Sequence, residues 1–87
     1  MFIYLKDAKA LEFHGAHITE TVKYGAPHYN VNIVEYGHNR VVNGEVIYTT
    51  TNKETAQHLI ADLCTAAGEG LPVFFVEEWE NEKIKGV

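Results

Sequence analysis

The chain has 87 residues, 46% of them hydrophobic, with twelve acidic against seven basic residues and a formal net charge of −5. That length holds one core and excludes a second, the composition excludes disorder, and no apolar run approaches the roughly 20 residues of a membrane span. The charge argues against electrostatic capture of nucleic acid or an anionic membrane, and the single Cys64 excludes an internal disulfide framework or a multi-cysteine zinc module. The opening MFIYLKDAKA has no basic segment followed by a long apolar one, so a cytoplasmic location without a secretory leader is expected.

Phe2–Leu5 is an apolar run that predicts an opening strand. The next stretch has two readings. Asp7 can cap a helical turn with Ala8 and Leu11 inward, or the chain can run extended through Leu11 and Phe13; Gly15 ends either pattern. His17–Tyr24 is rich in β-branched residues and predicts a half-buried strand, with Ile18, Val22 and Tyr24 on one face and Thr19, Thr21 and Lys23 on the other. A turn is expected over Gly25, Ala26 and Pro27. Tyr29–Tyr36 alternates again, with Tyr29, Val31 and Ile33 opposite Asn30 and Asn32. Gly37, His38 and Asn39 look like a bend or bulge. Asn43-Gly44 is the strongest hairpin signal, because both residues tolerate the positive φ of a two-residue turn. The central third of the chain thus predicts an antiparallel meander.

Lys53–Ala67 predicts an amphipathic helix. Thr51 and Glu54 form a capping box, and Asn52 is an equally good cap. Ala56, Leu59, Ile60, Leu63 and Ala67 make the apolar stripe, Cys64 sits at its edge, and Gly68 suits the C-terminal end. Leu71–Val76 (LPVFFV) is continuously apolar, as expected of a strand covered on both sides or lying at a subunit contact. Residues 77–87 then form an acidic C-terminal tail, in which four of the twelve acids surround Trp79, the only tryptophan. The expected fold is α+β: a small antiparallel sheet of four to five strands against one helix, in the order β-β-β-β-α-β, as a single domain over residues 1–87.

Several chemistries drop out. The chain has no serine, so serine-based nucleophilic catalysis is impossible. It has no phosphate-binding loop or dinucleotide fingerprint, so no cofactor is expected, and Arg40 is its only arginine, which leaves a phosphate or carboxylate substrate few cations. Cys64 near the helix C-terminus lies where the dipole disfavours a thiolate, and His58 lies on the helix face away from the stripe. His14, His17 and His28, with His38 nearby, form the most chemical-looking group, since neutral imidazoles bind transition metals. Their spacing is against them: residues i and i+3 share a face on a helix but not on a strand, and Gly15 discourages a helix there. Ordinary surface or sheet-edge histidines are the competing explanation.

The remaining signal is aromatic and acidic. Glu77, Glu78 and Glu80 around Trp79, with Tyr36 and Tyr48, are the candidate partner-binding residues: an aromatic anchor is buried by the partner and acids steer a basic surface. Against this stands a Trp79 folded back onto its own domain beneath a solvated acidic face. The function expected is a non-enzymatic protein-binding module that occupies a surface of a larger partner. By analogy of size and charge, such proteins include small regulators and phage or mobile-element inhibitors, among them those that block CRISPR effectors or other host nucleases. The rivals are a small metal- or histidine-dependent enzyme using His14, His17 and His28, and a homodimeric structural subunit joined through LPVFFV.

Overall fold

The computed structural model of the chain describes residues 1–37 and 40–85, with side chains described outside 36–43 and 85. The chain is α+β, but its strands divide between two three-stranded sheets. In chain order they are β1 (Phe2–Tyr4), β2 (Ala10–Glu12), β3 (Ala16–Lys23), β4 (Ala26–Gly37), β5 (Arg40–Thr50) and β6 (Val73–Phe75). Helix α1 (Lys53–Gly68) lies between β5 and β6, and α2 (Val76–Glu80) follows β6 and runs into a π-helical turn, Asn81–Lys85.

The smaller sheet has the order β2-β1-β6, with β2 antiparallel and β6 parallel to β1. The extended reading of Leu11 therefore prevails over the helical one. Asp7 accepts a hydrogen bond from the Lys9 amide at 3.3 Å, and Ala8 takes a φ of 64°. Together they close a tight β1–β2 connection in place of a helix cap.

The larger sheet is the expected antiparallel meander, β3-β4-β5, but both of its turns differ from the expectation. The β3–β4 turn is Tyr24-Gly25, with φ of 52° and 76°, closed by the pair Lys23–Ala26. Pro27 belongs to the strand, opposite Val22. It follows the hydrogen-bonded closing pair, where the next pair exchanges no N–H bonds, so its missing donor costs nothing. Asn43-Gly44 is not a turn either. β5 runs straight through it, and β4–β5 pairing continues to Gly37–Arg40; the predicted bend at His38 and Asn39 lies outside the described residues. The glycine serves a close approach instead. A Cβ on Gly44 would sit 2.7 Å from the Ile33 carbonyl oxygen. Two register shifts between Val31 and Val34 mark bulges in this pair, and the first lets Ile47 and Tyr48 both turn towards the interior.

Helix α1 begins at Asn52, not at a Thr51 capping box: the Asn52 carboxamide oxygen accepts from the amides of Glu54 and Thr55 at 2.9 and 3.2 Å. Its buried residues are Ala56, Leu59, Leu63 and Ala66, so Ala66 replaces the expected Ala67, and Cys64, at the edge of the stripe, is exposed. This stripe packs on β3, β4 and β5. Ile3 of the small sheet, Val31, Ile33 and Ile47 of the large one, and Val76 and Trp79 of α2 complete a single core around it.

The LPVFFV run is covered on one side only. Phe74 packs on the core while Phe75 is exposed, and the chain turns helical at Val76. The segment expected as an acidic tail is helical from Val76 to Lys85 and fastened at Trp79, whose indole Nε1 donates to Asp62 Oδ2 of α1 at 2.7 Å.

Candidate functional site: an acidic cleft beside an aromatic sheet face

Alternation along the short strands of the small sheet decides what its two faces carry. Ile3, Leu11 and Phe74 are in register and point inward. Phe2 and Tyr4 on β1, Glu12 on β2 and Phe75 on β6 occupy the other face. Among the described residues, this face leaves its aromatic rings partly in water. Phe2 is 49% and Phe75 44% exposed, and the Tyr4 and Phe75 rings stack with centroids 5.2 Å apart.

Tyr4 and Phe75 immediately precede Leu5 and Val76, which form part of the floor of a cleft of about 540 Å³. Three segments build its walls: the β1–β2 connection with Lys6, Asp7 and Lys9; the bulged part of β5 with Glu45, Val46, Ile47 and Tyr48; and the start of α2 with Glu77 and Glu80. The parallel β1–β6 pairing brings the first segment beside the third, and the bulges of β5 turn the second towards both. The cleft holds four carboxylates against two lysines. Lys9 forms an ion pair with Glu45, and that hydrogen bond, with the Glu45 charge, holds its ammonium above the usual lysine range. The charge left over is negative. Burial, then a hydrogen bond to Glu80 and the charge of that carboxylate, push the Tyr48 hydroxyl up to about 12. Such a phenol stays protonated at neutral pH and is a poor base or nucleophile. It is a hydrogen-bond donor seated against Trp79, edge to face at 5.7 Å.

The cleft gathers Glu77, Glu80 and Tyr48. Glu78, on the other side of α2, lines a shallower groove with Asp62, Glu69 and Glu82, and the Tyr36 side chain lies outside the described residues. Trp79 requires a correction. It is 5% exposed and offers a partner almost no surface, because it is spent on joining α2 to α1; it is not an exposed anchor. Phe2, Tyr4 and Phe75 are the exposed aromatics beside the acids. Phe2–Leu5 and Leu71–Val76 are continuously apolar, so the sequence carries no alternation that marks which of their residues face outward.

The histidines do not converge. His17 pairs with Asn32 and His28 with Thr21, which sets them four residues apart along the strands, roughly 13 Å. His14 lies before β3, 3.6 Å from a Glu12 carboxylate oxygen. His58 is exposed on α1, and His38 is outside the described residues. Among the described residues, no group of three or more His, Cys, Asp or Glu is arranged to hold a metal ion, and no helix is long and apolar enough to cross a membrane. Comparison of the chain with protein-family models, with curated proteins and with solved structures finds no match.

Proposed function

We propose that this protein is a non-enzymatic binding module that occupies a basic surface of a larger protein partner, in the manner of a small regulator or inhibitor. The observation that supports this most directly is the exposed, stacked Tyr4–Phe75 pair, each residue of which is the chain neighbour of a residue, Leu5 or Val76, that lines a cleft of net negative charge. An aromatic patch supplies contact area at low entropic cost. The cleft beside it suits a lysine or arginine side chain of the partner, whose alkyl stem meets Leu5, Val46 and Val76 while its cation meets Glu77 and Glu80. The same charges disfavour a second copy of the chain as occupant: a self-complementary contact sets Glu12 and Glu77 of one copy against those of the other, with −5 on each.

The test is quantitative capture of host proteins on the immobilised chain, over a salt series, with two variants. Tyr4→Ser/Phe75→Ser should abolish capture. Glu77→Lys should weaken it at least tenfold and flatten its dependence on salt. Capture that survives both variants unchanged overturns the reading. A concentration-dependent dimer in sedimentation that Phe75→Ser dissolves replaces it with self-association.

A further inference from the structure

The pairing of β4 with β5 stops at Tyr29–Thr50, whereas its pairing with β3 continues to Lys23–Ala26. The end of the β3–β4 hairpin therefore projects beyond the third strand as a two-stranded arm. Residues 21–27 are exposed without interruption. A two-stranded ribbon in water has little to stabilise it, so its tip would be expected to carry favourable turn residues. Gly25, at φ 76°, meets that expectation at the second central position, but the first does not. The first central position of a two-residue turn with positive φ at both centres favours Asn, Asp or Gly. Here it is Tyr24, at φ 52°, a region that bulky L-residues rarely adopt. Tyr24 is fully exposed and Val22 is 70% exposed. Around Gly25 there is open space. With its side chain fully exposed, Tyr24 gains no burial within the described residues to offset this strain.

We infer that the arm is a second docking element, with Tyr24 as an anchor inserted into an apolar-walled pocket of a folded protein partner. Strain held at an exposed aromatic is the pattern of a residue kept for contact and not for stability, and tyrosine is among the side chains that dominate interface energetics when a pocket takes them. The arm's chemistry selects the class of partner. Lys23 is its one lysine, and Glu20 and the net charge of −5 oppose it, which is too little cation to follow a nucleic-acid backbone. Val22, Ala26 and Pro27, exposed on the same arm, fit an apolar rim. The inference rests on the protein-binding reading above but uses a different surface.

Two measurements test it on the full chain. First, Tyr24→Asn, which suits the turn, should raise the melting temperature. Second, a photo-crosslinking benzophenone side chain placed at position 24, and separately at position 75, should capture a protein in the cells where the chain occurs. The protein captured through position 24, once purified, should bind Tyr24→Asn at least about tenfold more weakly than wild type and Tyr24→Phe nearly as well. A more stable variant that binds less well is a combination that a merely structural tyrosine does not produce. The inference is overturned if Tyr24→Asn lowers the melting temperature, if it binds the captured protein within about twofold of wild type, or if position 24 yields no adduct or a nucleic-acid one. Capture at 24 without capture at 75 upholds the arm and overturns the sheet-face reading; capture at 75 alone does the reverse.

Discussion

On the outer face of β3-β4-β5, Asn32 Nδ2 donates to Thr19 Oγ1 at 2.8 Å, Asn30 Nδ2 to Thr21 Oγ1 at 3.1 Å, and Thr49 Oγ1 to Asn30 Oδ1 at 3.0 Å. On the outer face of β2-β1-β6, Phe2, Tyr4 and Phe75 stand beside acids. Both sheets turn an apolar face to the same core, yet one outer face pairs its polar groups across the strands, diagonally for Asn32–Thr19 and Asn30–Thr21 and directly opposite for Thr49–Asn30, and the other leaves aromatic surface in water. A self-satisfied polar ladder gains little from a partner, because every new hydrogen bond replaces one already made. An uncovered aromatic face gains on contact. The proposed binding function therefore draws on the small sheet although the large sheet offers more area.

That contrast depends on α2 being held beside the small sheet, and Trp79 holds it. Trp79→Ala should cost about 3–5 kcal/mol in urea denaturation; a loss below about 1 kcal/mol would show that α2 is positioned by something else. Gly44→Ala forces a methyl against the Ile33 carbonyl and should cost about 1–3 kcal/mol, since the bulges that shape the cleft wall require that close approach. The two faces are compared directly by Asn32→Ala and Phe75→Ser. The first removes a buried amide from the ladder and should cost about 1–2 kcal/mol; the second, on a half-exposed ring, should cost no more than about 1 kcal/mol while binding is lost. If Phe75→Ser proves the more destabilising, the aromatic face belongs to the fold and not to a partner.

The smallest effect concerns Tyr48, where the cleft meets the core. Its folded-state pKa, about 12, lies above the ordinary value of 10.0. Between these values the folded protein keeps a proton that the unfolded chain has lost. The associated stability is complete below about pH 10 and disappears as the pH rises towards 12. Denaturation curves across that window should show the loss in wild type and a smaller loss in Tyr48→Phe. An equal loss in both proteins would place its source elsewhere.

Local order was legible from local residues. The Ala56–Leu59–Leu63 spacing set the helix and its inner face, Asn52 was available as its cap, and the alternation of Tyr29, Val31 and Ile33 against Asn30 and Asn32 set the sides of β4. Each depends on neighbours within a turn or on the two-residue repeat of a strand. The candidate site was half legible. The sequence points to Glu77, Glu80 and Tyr48, leaves Trp79 open between a partner's pocket and its own domain, marks Phe75 only as part of a covered strand or subunit contact, and gives no sign of an outward Phe2 and Tyr4.

What the amino-acid order alone determined, then, is the α+β class, the helix with its stripe, the meander and the concentration of acids after Phe75. The tertiary structure decided the placement of the segments that carry no clear repeat. Asn43-Gly44 suits a turn equally well as a bulge, and only the Ile33 carbonyl above it selects the bulge. Trp79 is as compatible with a partner's pocket as with its own core, and only Asp62, seventeen residues away on another helix, settles its direction. The parallel pairing of β1 with β6 joins the two ends of the chain and thereby makes the cleft. These outcomes rest on contacts between residues far apart in sequence, and periodicity within one segment carries no information about them.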